Sequence, residues 1–219
     1  MSPRNQKLNA HIDARLAAYA TLAGVALAVP AVSKADIVYS GVVNYSVPND
    51  FGGIYINFVT GQTGIAAGDV PGWNWNPFGG ATGQLQFYWG TAGTLNGGLS
   101  LDTTTYAVLP PNTMVGPGNT YITNTNAAAT VGWQAGADAY LGIRLVNSQT
   151  LATNFGWVHF NTTGTTGFPA TIVEYAFENT GNSILTGQTT VPEPSTTALL
   201  GVMAAGALGV RAWRKRKAA

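Results

Sequence analysis

Between positions 37 and 185 apolar and polar residues alternate in short runs, and Gly or Pro interrupts the chain before any run becomes long. Ile37, Tyr39, Val43, Tyr45 and Val47 alternate with Ser40, Asn44 and Ser46; Ile54, Ile56 and Phe58 flank Tyr55 and Asn57. Leu85, Phe87 and Trp89 alternate with Gln84, Gln86 and Tyr88. Further on, Leu141, Ile143 and Leu145 flank Gly142 and Arg144, Val158 and Phe160 flank His159, and Val173, Tyr175 and Phe177 flank Glu174. Period two is the signature of a strand with one face buried. The punctuation falls at Pro48-Asn49-Asp50, Gly79-Gly80, Gly97-Gly98, Pro110-Pro111, Gly116-Pro117-Gly118 and 164–167. Many short strands with such turns, and no long amphipathic helix, predict an all-β fold: an antiparallel β-sandwich of jelly-roll type. Gly-Trp recurs at Trp73, Trp133 and Trp157, but the spacing is irregular and marks no repeat array.

The two ends follow different rules. At the start, Arg4, Lys7 and Arg15 precede a mostly apolar stretch, 17–32, and then Ser33-Lys34-Ala35. This is the layout of a secretory signal peptide over 1–35, with small residues placing cleavage between Ala35 and Asp36. A retained N-terminal anchor is disfavoured by the short apolar run and by Pro30. The last segment, 191–219, opens on Pro192-Glu193-Pro194, continues without charge from Ser195 to Val210, and ends on Arg211, Arg214, Lys215, Arg216 and Lys217. A helix over about 195–213 would be roughly 28 Å long, enough to cross a hydrocarbon core once as a single transmembrane helix. The basic end, 211–217, would hold its side of the membrane in the cytoplasm, with Trp213 suited to the interface.

The order of motif, apolar span and basic end resembles the PEP-CTERM sorting signal of exported bacterial proteins. The resemblance implies that a membrane-embedded cysteine protease, exosortase, processes the chain near Pro192, Glu193 and Pro194. It further implies an inner-membrane intermediate, a secreted or cell-surface product, and association with the exopolysaccharide matrix of biofilms. An ordinary anchor that is never cut is the alternative. Tyr140-Leu141-Gly142-Ile143-Arg144, Phe155-Gly156-Trp157-Val158, 170–178 and Ile184-Leu185-Thr186-Gly187 resemble a recurring ending of the β-sandwich passengers that carry such tails. So does 69–72 followed by Trp73-Asn74-Trp75-Asn76-Pro77.

Setting the two ends aside leaves a secreted domain over 36–190. Its only basic residue is Arg144, against Asp36, Asp50, Asp69, Asp102, Asp138, Glu174 and Glu178, a formal charge of −6. Eight charges in this domain are about 5% of its residues, against roughly 25% in ordinary soluble domains, so Thr, Asn, Gly, Gln and Ser must form most of its surface. Nucleic acid is not a partner, because no cluster of Lys and Arg exists to meet phosphate. The chain has no cysteine, which removes disulfides and thiol chemistry.

The inventory for catalysis is thin. His159 is the sole histidine of the domain and no Gly-x-Ser-x-Gly elbow accompanies it, so an outward strand position is the plainer reading. A metal site built on several His or Cys ligands is excluded, and no cofactor is expected. Asp50 or Asp69 could offer oxygen to calcium, but no Asp-x-Asp spacing supports it. Glu174 and Glu178 could serve glycoside hydrolysis, yet four residues along one strand separate them by about 13 Å, beyond the roughly 5–9.5 Å that the reaction uses. Asp138 is a partner that the sequence does not place. An ion pair of Arg144 with Glu174 or Glu178 on a neighbouring strand is the structural expectation. Trp73 and Trp75, two apart, would share one face of a strand, with Asn74 and Asn76 opposite. Buried, the rings would cap a core; exposed, they would be glycan contacts. The expected function is an exported, non-enzymatic envelope or matrix protein, with a glycan-binding module as the alternative and a carbohydrate-active enzyme behind it.

Overall fold

The computed structural model describes residues 36–90 and 95–190. The signal peptide with Ala35, the motif Pro192, Glu193 and Pro194, the transmembrane helix and the basic end Arg211, Arg214, Lys215, Arg216 and Lys217 lie outside the described residues.

The described chain is built from antiparallel strands: β1 (Ile37–Tyr39), β2 (Tyr45–Val47), β3 (Tyr55–Ile56), β4 (Thr63–Gly64), β5 (Trp75–Gly79), β6 (Leu85–Trp89), β7 (Gly97–Ser100), β8 (Met114–Val115), β9 (Thr120–Ile122), β10 (Ala137–Val146), β11 (Thr153–Thr162), β12 (Ala170–Glu178) and β13 (Ile184–Leu185). One short helix, α1 (Val131–Gln134), follows a 3-10 turn at Ala127–Thr130 that Asn126 caps by accepting from the Ala129 N–H. The large sheet has the order β1-β12-β11-β10-β7-β9, with β2 also on β12; the small sheet has the order β4-β3-β5-β6; β13 and β8 form a separate ribbon.

The main core lies between the two sheets. From the small sheet come Ile56, Trp75, Leu85, Phe87 and Trp89; from the large sheet come Leu141, Ile143, Leu145, Val158, Phe160, Ile172, Tyr175 and Phe177; Trp133 of α1 plugs one end. Each fully buried aliphatic or aromatic side chain of this kind is worth about 1.5–3 kcal/mol. The rings interlock in edge-to-face, tilted and stacked pairs, with Trp75 edge to face on Phe87 and on Phe160 at 5.0 and 5.4 Å. Gly98 has to be glycine, since a Cβ there would stand 2.6 Å from the Tyr106 ring and 2.9 Å from Trp89.

A third layer covers part of the large sheet's other face. Leu99, Ala107, Leu109, Val115, Phe155, Trp157, Ala176 and Ile184 form a second core beneath the β8–β13 ribbon. This is why β11 is buried almost continuously instead of at alternate residues.

All-β, antiparallel sandwich architecture is present, but the jelly-roll connectivity is not. A jelly roll passes successive strands between sheets, whereas β10, β11 and β12 stay neighbours in one sheet as a meander. Short connections at 147–152 and 163–169 cause this. Asn147 closes the first by accepting from the N–H groups of Gln149 and Thr150 at 2.9 and 3.1 Å.

Two of the expected alternations are interrupted, and the interruptions face each other. The register passes from His159↔Glu174 to Phe160↔Ile172, leaving Val173 as a bulge residue. Ile172 therefore takes the core position expected for Val173, and Glu174 stays outward opposite His159. Opposite the bulge the expected strand over 37–47 splits into β1 and β2; Asn44 adopts φ 50, and the N–H groups of Val43 and Asn44 both donate to the Val173 carbonyl.

Candidate functional site

Two groups of side chains on outward faces merit chemical reading. The first is set by register across three strands. Tyr140 pairs with His159 and His159 with Glu174, so these three stand in a row on one face, with Asp138 two residues along β10 on the same side. The His159 ring stacks on Tyr140 with centroids 4.9 Å apart. Its Nε2 lies 2.8 Å from Asp138 Oδ1, and its Nδ1 lies 3.6 Å from Glu174 Oε1. The Tyr39 hydroxyl donates to Glu174 Oε2. That hydrogen bond is the largest cause pushing the Tyr39 hydroxyl up to about 12, since ionisation would set a phenolate against a carboxylate. Tyr140 is also raised, by burial first and then by Glu174 and Asp138.

This row contains the two acid types that glycoside hydrolysis would need, both turned to one imidazole. The imidazole sits between the carboxylates of Asp138 and Glu174, close to both. Among the described residues neither ring nitrogen is hydrogen-bonded to a Ser or Thr hydroxyl, so no nucleophile–base pair is formed. The arrangement holds two like charges apart with a polar ring between them.

Glu178 belongs to a different construction. It is 2% exposed and accepts from the Thr180 N–H and hydroxyl and from the Asn182 N–H, closing the turn after β12. The expected ion pair with Arg144 does not form. Register places Arg144 opposite Phe155 and Phe155 opposite Glu178, which sets the two charges two strand spacings, about 10 Å, apart with a phenyl ring between. Arg144 instead donates from Nε to the Leu95 carbonyl at 2.6 Å and lies over the Tyr121 ring, 5.0 Å from its centroid.

The second group surrounds Trp73. The expected shared face of Trp73 and Trp75 does not form, because the strand begins only at Trp75: Gly72 adopts φ +69 and turns the chain just before it. Trp75 is fully buried and offers no ligand contact. Trp73 is half-buried on the opposite side of the small sheet, edge-on to Tyr55 at 4.9 Å and tilted on Tyr88 at 5.3 Å. Asn74 and Asn76 are not free amides either. Asn74 accepts from the Phe58 N–H and donates to the Val146 carbonyl and to Asn96, tying the small sheet to β10; Asn76 donates to the Gly52 carbonyl. The partners that complete the outward cluster, Tyr55 and Tyr88, were visible in sequence only as the outward residues of β3 and β6.

Comparison with protein families matches residues 190–217 to the PEP-CTERM protein-sorting motif. No curated protein and no solved structure matches the chain. The motif is a recognised substrate signal of exosortase, and it implies export with processing at the membrane. It begins at Thr190, the last described residue.

Proposed function

We propose that this chain is an exported, non-enzymatic β-sandwich, sorted through its C-terminal tail to the cell surface or the extracellular polysaccharide matrix. The observation that carries the reading is the sorting motif at 190–217, which begins at the last residue described for the β-sandwich. Charge supports it: nine of the ten basic residues lie before 36 or after 190, leaving a domain whose outer surface is largely neutral and polar. The carboxylates also support it. Asp138 and Glu174 are engaged with His159 and Tyr39, and Glu178 is spent on a turn.

Fractionation of host cells tests the location: the protein is expected in the envelope or the medium, and confinement to the cytoplasm refutes it. The non-enzymatic claim fails if the protein turns over a glycoside and a Glu174→Gln, Glu178→Gln double variant loses that turnover.

A further inference from the structure

We infer that Trp73, Tyr55 and Tyr88 form a binding platform for an uncharged polysaccharide. The aromatic residues of the small sheet divide by face. Trp75, Phe87 and Trp89 enter the main core, whereas Trp73, Tyr55 and Tyr88 meet one another on the other side, with Tyr88 41% exposed. An aromatic residue alternating outward between Phe87 and Trp89 adds nothing to the core, and three of them from β3, β6 and the turn before β5 converge on one spot.

The backbone beneath is fixed from several sides. The Trp73 N–H donates to the Val70 carbonyl, the Asn74 N–H to the Ile56 carbonyl, and the Gly90 N–H to the Asn74 carbonyl. The buried Asn74 side chain adds its own bonds to Phe58 and Val146. The rings are thus positioned before any ligand arrives, which lowers the ordering cost of binding.

Charge selects the ligand class. From position 51 to 101 the only charged side chain is Asp69. The stretch that supplies all three rings therefore offers an anionic polymer no countercharge of its own, and a cationic one only that carboxylate. A neutral sugar chain needs neither: its C–H faces lie against the negative faces of aromatic rings, and its hydroxyls meet phenol and amide groups such as Gln86, which shares the Tyr88 face of β6. This adds a ligand to the export reading and rests on it only for the place where the ligand is met.

The test is affinity electrophoresis of the full-length chain in detergent, through native gels containing dextran, galactomannan or alginate. Retardation is expected in at least one neutral polymer and not in alginate. Trp73→Ala and Tyr88→Thr should each weaken it about tenfold, with Trp73→Phe recovering part of the loss. Should Trp73→Ala fail to fold, Tyr88→Thr decides, because its side chain is already exposed. Absence of retardation in both neutral polymers, equal retardation in alginate, or indifference to both substitutions overturns the inference. So does a change of mass in light scattering on Tyr88→Thr with unchanged retardation, which would make the patch a contact between copies. A protein that reaches the envelope but is not retarded fails this inference alone, and one that is retarded but stays cytoplasmic fails the export reading alone.

Discussion

Both sheets carry aromatic residues on the face turned away from the main core, and the two sets meet different fates. On the large sheet Trp157 is fully buried: Tyr140 lies edge-on to it at 5.3 Å, and its Nε1 donates to the Gln188 carbonyl, just after β13. On the small sheet Tyr55, Trp73 and Tyr88 stay at the surface. The same residue types therefore build a third layer on one side and leave a platform on the other. The difference is the chain between β7 and β10, together with β13, which returns over the large sheet and has no counterpart over these three rings among the described residues.

The largest expected effect lies on the covered side. Trp157→Ala removes a wholly buried indole and should cost about 3–5 kcal/mol in denaturant unfolding, against about 1 kcal/mol for Trp73→Ala. Equal costs would break the distinction between a structural and an available face. Next comes Asn74→Ala, which orphans the Phe58 N–H and the Val146 carbonyl; a loss of about 3 kcal/mol is expected. Near-neutrality there would mean that the platform is not braced from below.

The smallest effect concerns pH. The Tyr39 hydroxyl is raised to about 12 by Glu174, and Tyr175 to about 12 mainly by burial. A raised value means that the protonated phenol is favoured by folding, so this contribution is complete below the ordinary tyrosine value of about 10 and is lost as pH rises towards 12. In Glu174→Gln the Tyr39 phenolate should titrate nearer the ordinary value, read by phenolate absorbance, with little change in stability at neutral pH. An unshifted titration would remove the Tyr39–Glu174 bond from the account.

The strands β6, β10, β11 and β12 were legible because each keeps a stretch of period two, although burial on both faces blurs it in β11 and the bulge breaks it in β12. Their partners were not. The bulge at Val173 was hidden because Ile172 and Val173 are equally suited to a core, and only pairing with β11 decides between them. The Trp73 and Trp75 face was misjudged because spacing of two implies a shared side only within a strand, and Gly72 ends that condition. The third layer was obscured by the Thr-, Pro- and Gly-rich composition of 101–125, which reads as turns. At the His159 row the residue types were visible, but bringing Asp138 and Glu174 to one ring depends on the lengths of two turns. Arg144 had two carboxylates to choose from in sequence and in the fold has Phe155 in the way of one of them.

Intact mass of the protein recovered from envelope and medium fractions tests the central claim most directly. The account predicts a product that starts at Asp36 and ends near Pro192 to Pro194, allowing for any added glycan or lipid. A product that begins at Met1 and still carries Ala219 would contradict both the export of the domain and its sorting through the tail.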